Sequence, residues 1–209
     1  MLLYSDDRIK VYAAVADTSG ISPGHHNDLA MQRHKVGLLL AEAFPGSDPV
    51  IRHLPSGAPQ LEGVAGEWSI SVTHCRGLVA LAVTPYAAAI GIDADMISRG
   101  DQLRRVAPRF LSPSQHLQWG SGDGRLLLAW SIKEALYKAA GIAGLPLRDI
   151  PLPDAEMFCR CGKARVTLRG SEYEVMIMPE IEGCGPVIVA LGVVSASYSI
   201  PACEKNRAI

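Results

Sequence analysis

The sequence predicts an α+β fold made of two similar halves related by a pseudo-twofold axis. The chain has 209 residues, which is the upper end of one domain or the sum of two small ones. Along it, the pattern of a helix followed by three strands occurs twice. Each half is expected to pack one long helix on a three-stranded antiparallel meander. The halves are predicted to cover residues 1–88 and 89–209 and to form one compact unit.

The N-terminal half contains one strongly periodic helix. Apolar residues at helical spacing predict a helix over His26–Phe44, which Pro45 and Gly46 would end. Three runs with the composition and bounding turns of strands follow. They are Glu67–Thr73, Leu78–Thr84 and Ala88–Asp93.

The C-terminal half repeats this order with more helix. Two short helical pieces are predicted at Asp101–Pro108 and Pro113–Trp119, and a long helix at Arg125–Gly141. A connector rich in Gly and Pro then runs to Pro153. The strands expected after it are Ala164–Leu168, Tyr173–Met178 and Pro186–Ser195.

The composition excludes several classes of protein. Hydrophobic residues make up 48% of the chain, charged residues 20%, and the net charge is −1. These values are typical of a soluble globular protein and give no general reason to expect binding to nucleic acid or to an anionic membrane. No apolar run reaches the roughly 18 residues that a membrane span needs. A monomer is expected, because a pseudo-dimer already contains both of its halves.

The cysteines and the N-terminus both indicate the cytoplasm. Five cysteines are an odd number in a domain large enough to fold without disulfides, which favours a reducing compartment. The first ten residues, MLLYSDDRIK, carry acids where a signal peptide would carry positive charge. Cys159 and Cys161 lack the usual spacing and ligand number of a zinc site, so reduced thiols are the expected state.

Two segments carry the chemistry of the chain. In GIDAD (residues 91–95), alternation along a strand puts Asp93 and Asp95 on one face. In WSIKEALYKAA (residues 130–140), helical spacing puts Lys133, Glu134 and Lys138 on one side together with Trp130 and Tyr137.

These residues are suited to a metal-bound phosphate. Three carboxylates, from Asp93, Asp95 and Glu134, make an oxygen-rich site for Mg²⁺, with Mn²⁺ as an alternative ion. Lys133 and Lys138 are predicted to neutralise phosphate oxygens beside it. Taken alone, each segment also has a plainer explanation, as a solvated strand face or an exposed i, i+4 ion pair.

The two segments resemble the paired motifs G-[IV]-D-x-[ED] and W-x-x-K-E-[AS]-x-x-K of the 4′-phosphopantetheinyl transferases. Four further pieces are similar to motifs of that family and occur in the same order. They are Arg33 with Gly37, GAPQL at 57–61, SISVTHC at 69–75 and FLSP at 110–113. The resemblance covers residues 30–142, and the chain length favours the larger, pseudo-dimeric branch of the surfactin-synthetase-activating type.

The resemblance implies an activity. Such an enzyme moves the 4′-phosphopantetheine arm of coenzyme A to a serine of an apo acyl or peptidyl carrier protein and releases adenosine 3′,5′-bisphosphate. It implies that coenzyme A lies in the cleft between the halves and that the metal lies at their seam. The carriers of this family serve fatty-acid, polyketide, nonribosomal-peptide and siderophore synthesis.

The resemblance also assigns roles to residues. Asp93, Asp95 and Glu134 would hold the metal, and Asp93, Glu134 and Lys138 would act in catalysis. Contacts to coenzyme A are expected from Arg33, Gly57, Pro59, Thr73, His74, Lys133 and Lys138.

Several positions depart from the family pattern. The segment Ser22–Asp28 offers His25 and His26 in place of a basic pair, and Cys75 stands where serine is common. Asp95 stands where glutamate is commoner, and Ala58 replaces a lysine that contacts phosphate. Gln115 stands where larger members have a glutamate proposed as general base, and glutamine cannot accept that proton. Metal-bound water, His116 and Glu134 remain as alternative proton acceptors.

A basic stretch follows the first acidic motif. Arg99, Arg104, Arg105 and Arg109 alternate with apolar residues. This pattern predicts either a docking patch for an acidic carrier protein or a solvated helix face, and the sequence does not separate them.

Two other functions fit parts of the sequence. A metal-dependent pyrophosphatase acting on coenzyme A or a nucleotide would use the same acids with water as the nucleophile. A non-catalytic protein that binds coenzyme A or a carrier would explain Ala58 and Gln115, although the three carboxylates and two lysines favour an active enzyme.

Overall fold

The computed structural model describes residues 1–15, 25–55, 57–85, 88–181 and 184–193, and of residues 25–28 the backbone alone. Within these ranges the chain forms two four-stranded antiparallel sheets and a two-stranded hairpin, combined with helices. The prediction of an α+β fold is confirmed. No helix of the described residues is long and apolar enough to cross a membrane.

The first sheet has the order β1-β2-β6-β5. A separate hairpin, β3–β4, lies between its helix and its last two strands. The elements are β1 (Leu2–Ser5), β2 (Lys10–Val15), α1 (His25–Ala43), β3 (Val50–His53), β4 (Pro59–Glu62), β5 (Ser69–Cys75) and β6 (Leu78–Thr84).

The second sheet has the order β7-β10-β9-β8. Short 3-10 helices at Ile97–Arg99 and Leu147–Asp149 accompany its longer helices. The elements are β7 (Ile90–Ala94), α2 (Gly100–Phe110), α3 (Pro113–Trp119), α4 (Asp123–Ala140), α5 (Ala155–Cys161), β8 (Lys163–Leu168), β9 (Ser171–Ile177) and β10 (Val187–Gly192).

The two sheets pack face to face between α1 and α4. Strand β6 is buried on both faces: Leu78 and Ala80 join a cluster shared with the second sheet, whereas Val79 and Leu81 join the cluster under α1. Residues of β10 alternate in the same way between the shared cluster and the cluster under α4. The period of two along a strand therefore produces four layers, helix, sheet, sheet and helix.

The membership of the sheets differs from the prediction. The third strand predicted for the N-terminal meander, Ala88–Asp93, is β7, and it pairs with β10 in the second sheet. In place of that strand, the first sheet contains β1 and β2, two strands that precede α1 in the chain. Each sheet thus has four strands. The last two residues of the predicted strand Pro186–Ser195 lie outside the described residues, and the pseudo-twofold axis stays a prediction.

Strands β5 and β7, the edges of the two sheets, are joined by side chains rather than by a ladder. The Ile92 N–H donates to Ser71 Oγ at 3.1 Å, and the Ala94 N–H donates to Thr73 Oγ1 at 3.3 Å. These bonds satisfy buried backbone donors on the free edge of β7. They also set the carboxyl ends of the two strands side by side.

Helix α4 lies directly on β7 at Gly91. A Cβ built on Gly91 would lie 1.9 Å from the Ala135 carbonyl oxygen of α4. Lys138, one turn further along the helix, donates to the Ile92 carbonyl at 2.9 Å. Glycine at this position therefore allows helix and strand to approach at backbone contact distance.

Replacing Gly91 with alanine is expected to destabilise the protein by about 1–3 kcal/mol or more, because the added methyl group overlaps the α4 backbone. Urea unfolding measures the change. Gly37→Ala is the matched control: Gly37 is an exposed residue of α1 with no atom within 4 Å of a built Cβ. It should leave the free energy of unfolding unchanged or raise it by up to about 1 kcal/mol. Equal stability of the two variants would contradict the close contact.

Candidate active site

A pocket of about 780 Å³ lies where the ends of β5 and β7 meet the side of α4. Acidic and basic side chains line it together. The lining residues are His74, Cys75, Arg76, Asp93, Ala94, Asp95, Met96, Ser98, Arg99, Trp130 and Glu134. All three carboxylates predicted to bind a metal are therefore brought to one cavity.

The carboxylates of Asp93 and Asp95 are deeply placed. Asp93 is 7% exposed and Asp95 6% exposed. The loop before β10 lies against the backbone of Asp95, since a Cβ on Gly185 would lie 2.0 Å from the Asp95 carbonyl oxygen. Carboxylates this buried need counter-charges or hydrogen bonds to stay ionised.

Asp93 is held by α4 and by β5. Its Oδ1 accepts a hydrogen bond from Lys138 Nζ at 2.8 Å and a longer one from Thr73 Oγ1 at 3.4 Å. Its Oδ2 is buried without a partner of good geometry, and so is the Ser131 hydroxyl. Burial raises the pKa of Asp93, while the charge and hydrogen bond of Lys138, and a weaker contribution from Ser131, oppose that rise. Asp93 therefore keeps one buried oxygen without a partner of good geometry beside the pocket.

Both oxygens of Asp95 are engaged. Oδ1 accepts from the Met96 N–H at 2.8 Å. Oδ2 accepts from Arg99 Nη1, four residues along the chain. The Arg99 guanidinium lies 5.5 Å from the ring centroid of Trp130, a cation–π contact. Trp130 in turn packs edge-on against Phe110 at 5.2 Å between centroids, so the ring is anchored in the core.

Glu134 is half-buried and faces the same cavity. Burial raises the pKa of its carboxyl group, and the charge of Asp93 raises it further. Lys138 and Arg99 act in the opposite direction. The three acids therefore repel one another in a partly desolvated space, which is an environment that favours a bound cation.

The carboxylates of the pocket are suitable ligands for a hard divalent cation, but in this structure Asp93 and Asp95 pair with basic side chains. Carboxylates are the ligands that Mg²⁺ prefers, and Asp93 Oδ2 is a buried oxygen without a partner. Among the described residues, no group of three or more His, Cys, Asp or Glu is placed to hold a metal ion. Lys138 and Arg99 instead pair with Asp93 and Asp95. A cation at these acids would therefore compete with those two basic side chains.

The basic residues that line the pocket lie in the β5–β6 turn and at Arg99. His74 and Arg76 are exposed and line the cavity. Cys75 lies between them, and burial, together with the neighbouring Cys184 and the two aspartates, raises the pKa of its thiol to about 12. It therefore stays a thiol at neutral pH and does not supply a thiolate nucleophile.

Lys133 does not reach the pocket, contrary to the predicted phosphate contact. Its side chain is fully buried, and Nζ donates to the carbonyl oxygens of Leu147 and Ile150. Burial lowers the pKa of this amine to about 7. A helix turns about 100° per residue, so Lys133 and Lys138 point about 140° apart. In this structure Lys133 fixes the connector after α4 instead of facing a ligand.

The other predicted contacts to coenzyme A are spread over the N-terminal half. Thr73 is buried and positions Asp93 rather than lining the cavity. Arg33 is an exposed residue of α1, and Gly57 and Pro59 belong to the β3–β4 hairpin. None of these four lines the pocket, whereas His74 does. Their contacts to coenzyme A stay predictions.

Gln115 has a structural contact that the sequence analysis missed. Ser112 and Gln115 form a capping box at the start of α3, and Gln115 Nε2 also donates to the Ile150 carbonyl at 2.9 Å. The signal was present as S-x-x-Q after FL, a typical start of a helix. His116 is exposed and does not line the pocket. Of the three alternative proton acceptors, Glu134 is the side chain that lines the cavity.

The basic stretch is divided by the fold. Leu103 and Phe110 are buried, so the apolar face of α2 belongs to the core. Arg104 pairs with Asp101 and Asp123, while Arg105 and Arg109 are exposed. Two residues therefore remain open to a partner, and the alternatives of docking patch and solvated face both persist.

Two cations of the pocket were absent from the predicted site. Arg76 follows His74 at a turn, and a basic residue beside the predicted phosphate contact was the available signal. Arg99 was assigned to the basic stretch, although its spacing of four residues from Asp95 allows a contact across one helical turn.

The comparison with known families agrees with this site. Residues 89–172 match the model of the 4′-phosphopantetheinyl transferase superfamily. The matched stretch begins just before β7 and contains Asp93, Asp95, Glu134 and Lys138. No curated protein matches the chain. Residues 89–172 are therefore similar to a 4′-phosphopantetheinyl transferase superfamily domain, which supports a transferase; the larger branch and the N-terminal motifs stay predictions.

A pair of substitutions separates the roles of Lys133 and Arg76. Lys133→Met is expected to lower the free energy of unfolding by about 1–3 kcal/mol, because two buried carbonyl oxygens lose their donor, and to leave affinity for coenzyme A unchanged. Arg76→Met is expected to do the reverse, weakening coenzyme A binding about tenfold or more with stability intact. Urea unfolding and calorimetric titration measure both quantities. Loss of coenzyme A affinity in a folded Lys133→Met protein would show that Lys133 contacts coenzyme A, as the sequence predicted.

Proposed function

We propose that this protein transfers the 4′-phosphopantetheine arm of coenzyme A to a serine hydroxyl of an apo acyl or peptidyl carrier protein and releases adenosine 3′,5′-bisphosphate. The observation that carries the proposal is the pocket in which Asp93, Asp95 and Glu134 meet the cations Arg76 and Arg99 and the imidazole of His74. The superfamily match over residues 89–172 supports the same reaction.

The transfer needs one bond made and one broken at phosphorus. The serine Oγ attacks the pyrophosphate phosphorus that carries the pantetheine arm. The bond from that phosphorus to the bridging oxygen breaks, and the electron pair leaves with adenosine 3′,5′-bisphosphate. Such a reaction depends on positioning and on stabilising charge on the phosphoryl oxygens.

The cations of the pocket are suited to the anionic end of coenzyme A. Arg76 and His74 stand at the open side of the cavity and would bind phosphate oxygens, the first through its planar fork of donors. Lys138 is bonded to Asp93, so its main action is to keep that carboxylate ionised and oriented on β7.

A divalent cation, Mg²⁺ or Mn²⁺, would supply charge neutralisation at the pyrophosphate when bound. Asp93, Asp95 and Glu134 are the residues that would hold it. Glu134 lines the cavity and makes no hydrogen bond to another described residue, whereas Asp93 Oδ2 is buried without a partner of good geometry and would have to turn towards the cavity.

Glu134 is the proposed acceptor of the serine proton. It lines the cavity, where a serine hydroxyl could approach it, and it makes no hydrogen bond to another described residue. Gln115 is committed to the α3 cap and to the Ile150 carbonyl. We also propose that the protein acts in the cytoplasm as a monomer and belongs to the larger branch of the superfamily.

Intact-mass spectrometry of apo carrier proteins incubated with this protein, coenzyme A and Mg²⁺ tests the function. The expected result is the addition of one phosphopantetheine arm to the carrier, prevented by EDTA. Glu134→Gln should lower the rate about 10²–10⁴-fold, because it removes both a ligand and a base. Glu156→Gln, on the exposed face of α5 outside the pocket lining, is the matched control and should retain the full rate.

The alternative functions give different products. Release of phosphopantetheine from coenzyme A without modification of any carrier would replace transfer by pyrophosphate hydrolysis. Binding of coenzyme A with neither reaction, across acyl and peptidyl carriers, would replace it by a non-catalytic binding protein.

A further inference from the structure

Arg99 is fixed at the mouth of the pocket by three contacts. Its Nη1 donates to Asp95 Oδ2, and its Nε donates to Gln102 Oε1 at 3.0 Å. The guanidinium stacks over Trp130, with its carbon 5.5 Å from the ring centroid. The ring is itself held against Phe110, so the cation has a defined resting position.

The carboxylate that Arg99 holds is one of the proposed metal ligands. Each oxygen of Asp95 already accepts a hydrogen bond, Oδ1 from Met96 and Oδ2 from Arg99. Glu134 lines the same cavity and makes no hydrogen bond to another described residue. A second cation placed at the same carboxylate would be repelled by the guanidinium, at a cost that grows as the site is desolvated.

Arg99 is also able to leave. One third of its side chain is exposed, compared with 8% of the Asp95 side chain. It ends a 3-10 helix of three residues, none of which is buried. The guanidinium can therefore turn to the open side of the pocket, where it would face an anionic ligand, without disturbing the core.

We propose that Arg99 is a built-in counter-ion that competes with the divalent cation for Asp95 and so determines how tightly this pocket binds metal in the absence of coenzyme A. With Arg99 on Asp95, the acids are neutralised and metal binding is weak. When the anionic substrate draws the guanidinium away, Asp95 becomes available and the metal and the substrate bind cooperatively. This inference rests on the proposed metal site of the transferase.

Titration with Mn²⁺ alone tests the proposal, with the free hexaaqua ion measured by electron paramagnetic resonance. Arg99→Gln is expected to bind Mn²⁺ at least about tenfold more tightly than the unchanged protein. Arg105→Gln, an exposed arginine of α2, makes the same change in net charge and should bind Mn²⁺ as the unchanged protein does. Unchanged or weaker binding by Arg99→Gln, or an equal gain in the control, would overturn the proposal.

A double-mutant cycle shows whether the gain passes through Asp95. In an Asp95→Asn background, Arg99→Gln should give no gain in Mn²⁺ affinity, because the carboxylate for which the two cations compete is absent. A gain of the same size in that background would contradict competition at Asp95. Circular dichroism checks that each variant is folded, and Arg99→Lys, which keeps the charge but loses the fork and the stacking, should show a smaller gain if Arg99→Gln fails to fold.

The outcome is independent of the transfer assay. Metal affinity is measured without coenzyme A and without a carrier, so tighter binding by Arg99→Gln would stand even if no carrier were modified. Conversely, if a carrier is modified but substitution of Arg99 does not change the affinity for Mn²⁺, the transferase function is supported and the proposed role of Arg99 is rejected.

Discussion

The whole site depends on the backbone contact between α4 and β7 at Gly91. A side chain there would meet the Ala135 carbonyl oxygen at 1.9 Å, so any residue with a Cβ would push the helix away from the strand. Because the contact is close, Lys138 reaches both the Ile92 carbonyl and the Asp93 carboxylate. Glu134, one turn earlier on α4, is thereby set beside the acids that end β7. Packing of the core thus determines the distance between the charges.

The charges of the pocket are balanced within the chain. Buried carboxylates are unstable without compensation, and the fold supplies Lys138 for Asp93 and Arg99 for Asp95. The compensation leaves one oxygen of Asp93 unpartnered and Glu134 with a raised pKa, so a demand for positive charge persists. A pocket lined by three acids together with His74, Arg76 and Arg99 matches a ligand that brings a cation and phosphates together.

Much of the arrangement of the acids and Lys138 could be predicted because it follows from the local periodicity of a strand and a helix. Alternation predicted that Asp93 and Asp95 share a face, and the period of α4 placed Glu134 and Lys138 near them. Strands β1 to β4, of four to six residues each, gave too little alternation to be recognised. The pairing of β7 with the second sheet is a long-range choice that local pattern does not encode. The prediction that Lys133 faces the phosphates was wrong because it and Lys138 point about 140° apart on α4. Arg99 was not predicted at the site because the sequence pattern assigned it to the basic stretch and not to a contact with Asp95.

Asp93, Asp95 and Glu134 are the proposed site for a divalent cation beside the phosphates of the substrate. Crystals grown with Mn²⁺ and coenzyme A test this site through the anomalous scattering of the ion. We expect a single strong anomalous peak bordered by these three carboxylates, with the Arg99 guanidinium displaced from Asp95 towards the phosphates. Coenzyme A bound in the cavity with Arg99 still on Asp95 and no peak among the three acids would contradict it.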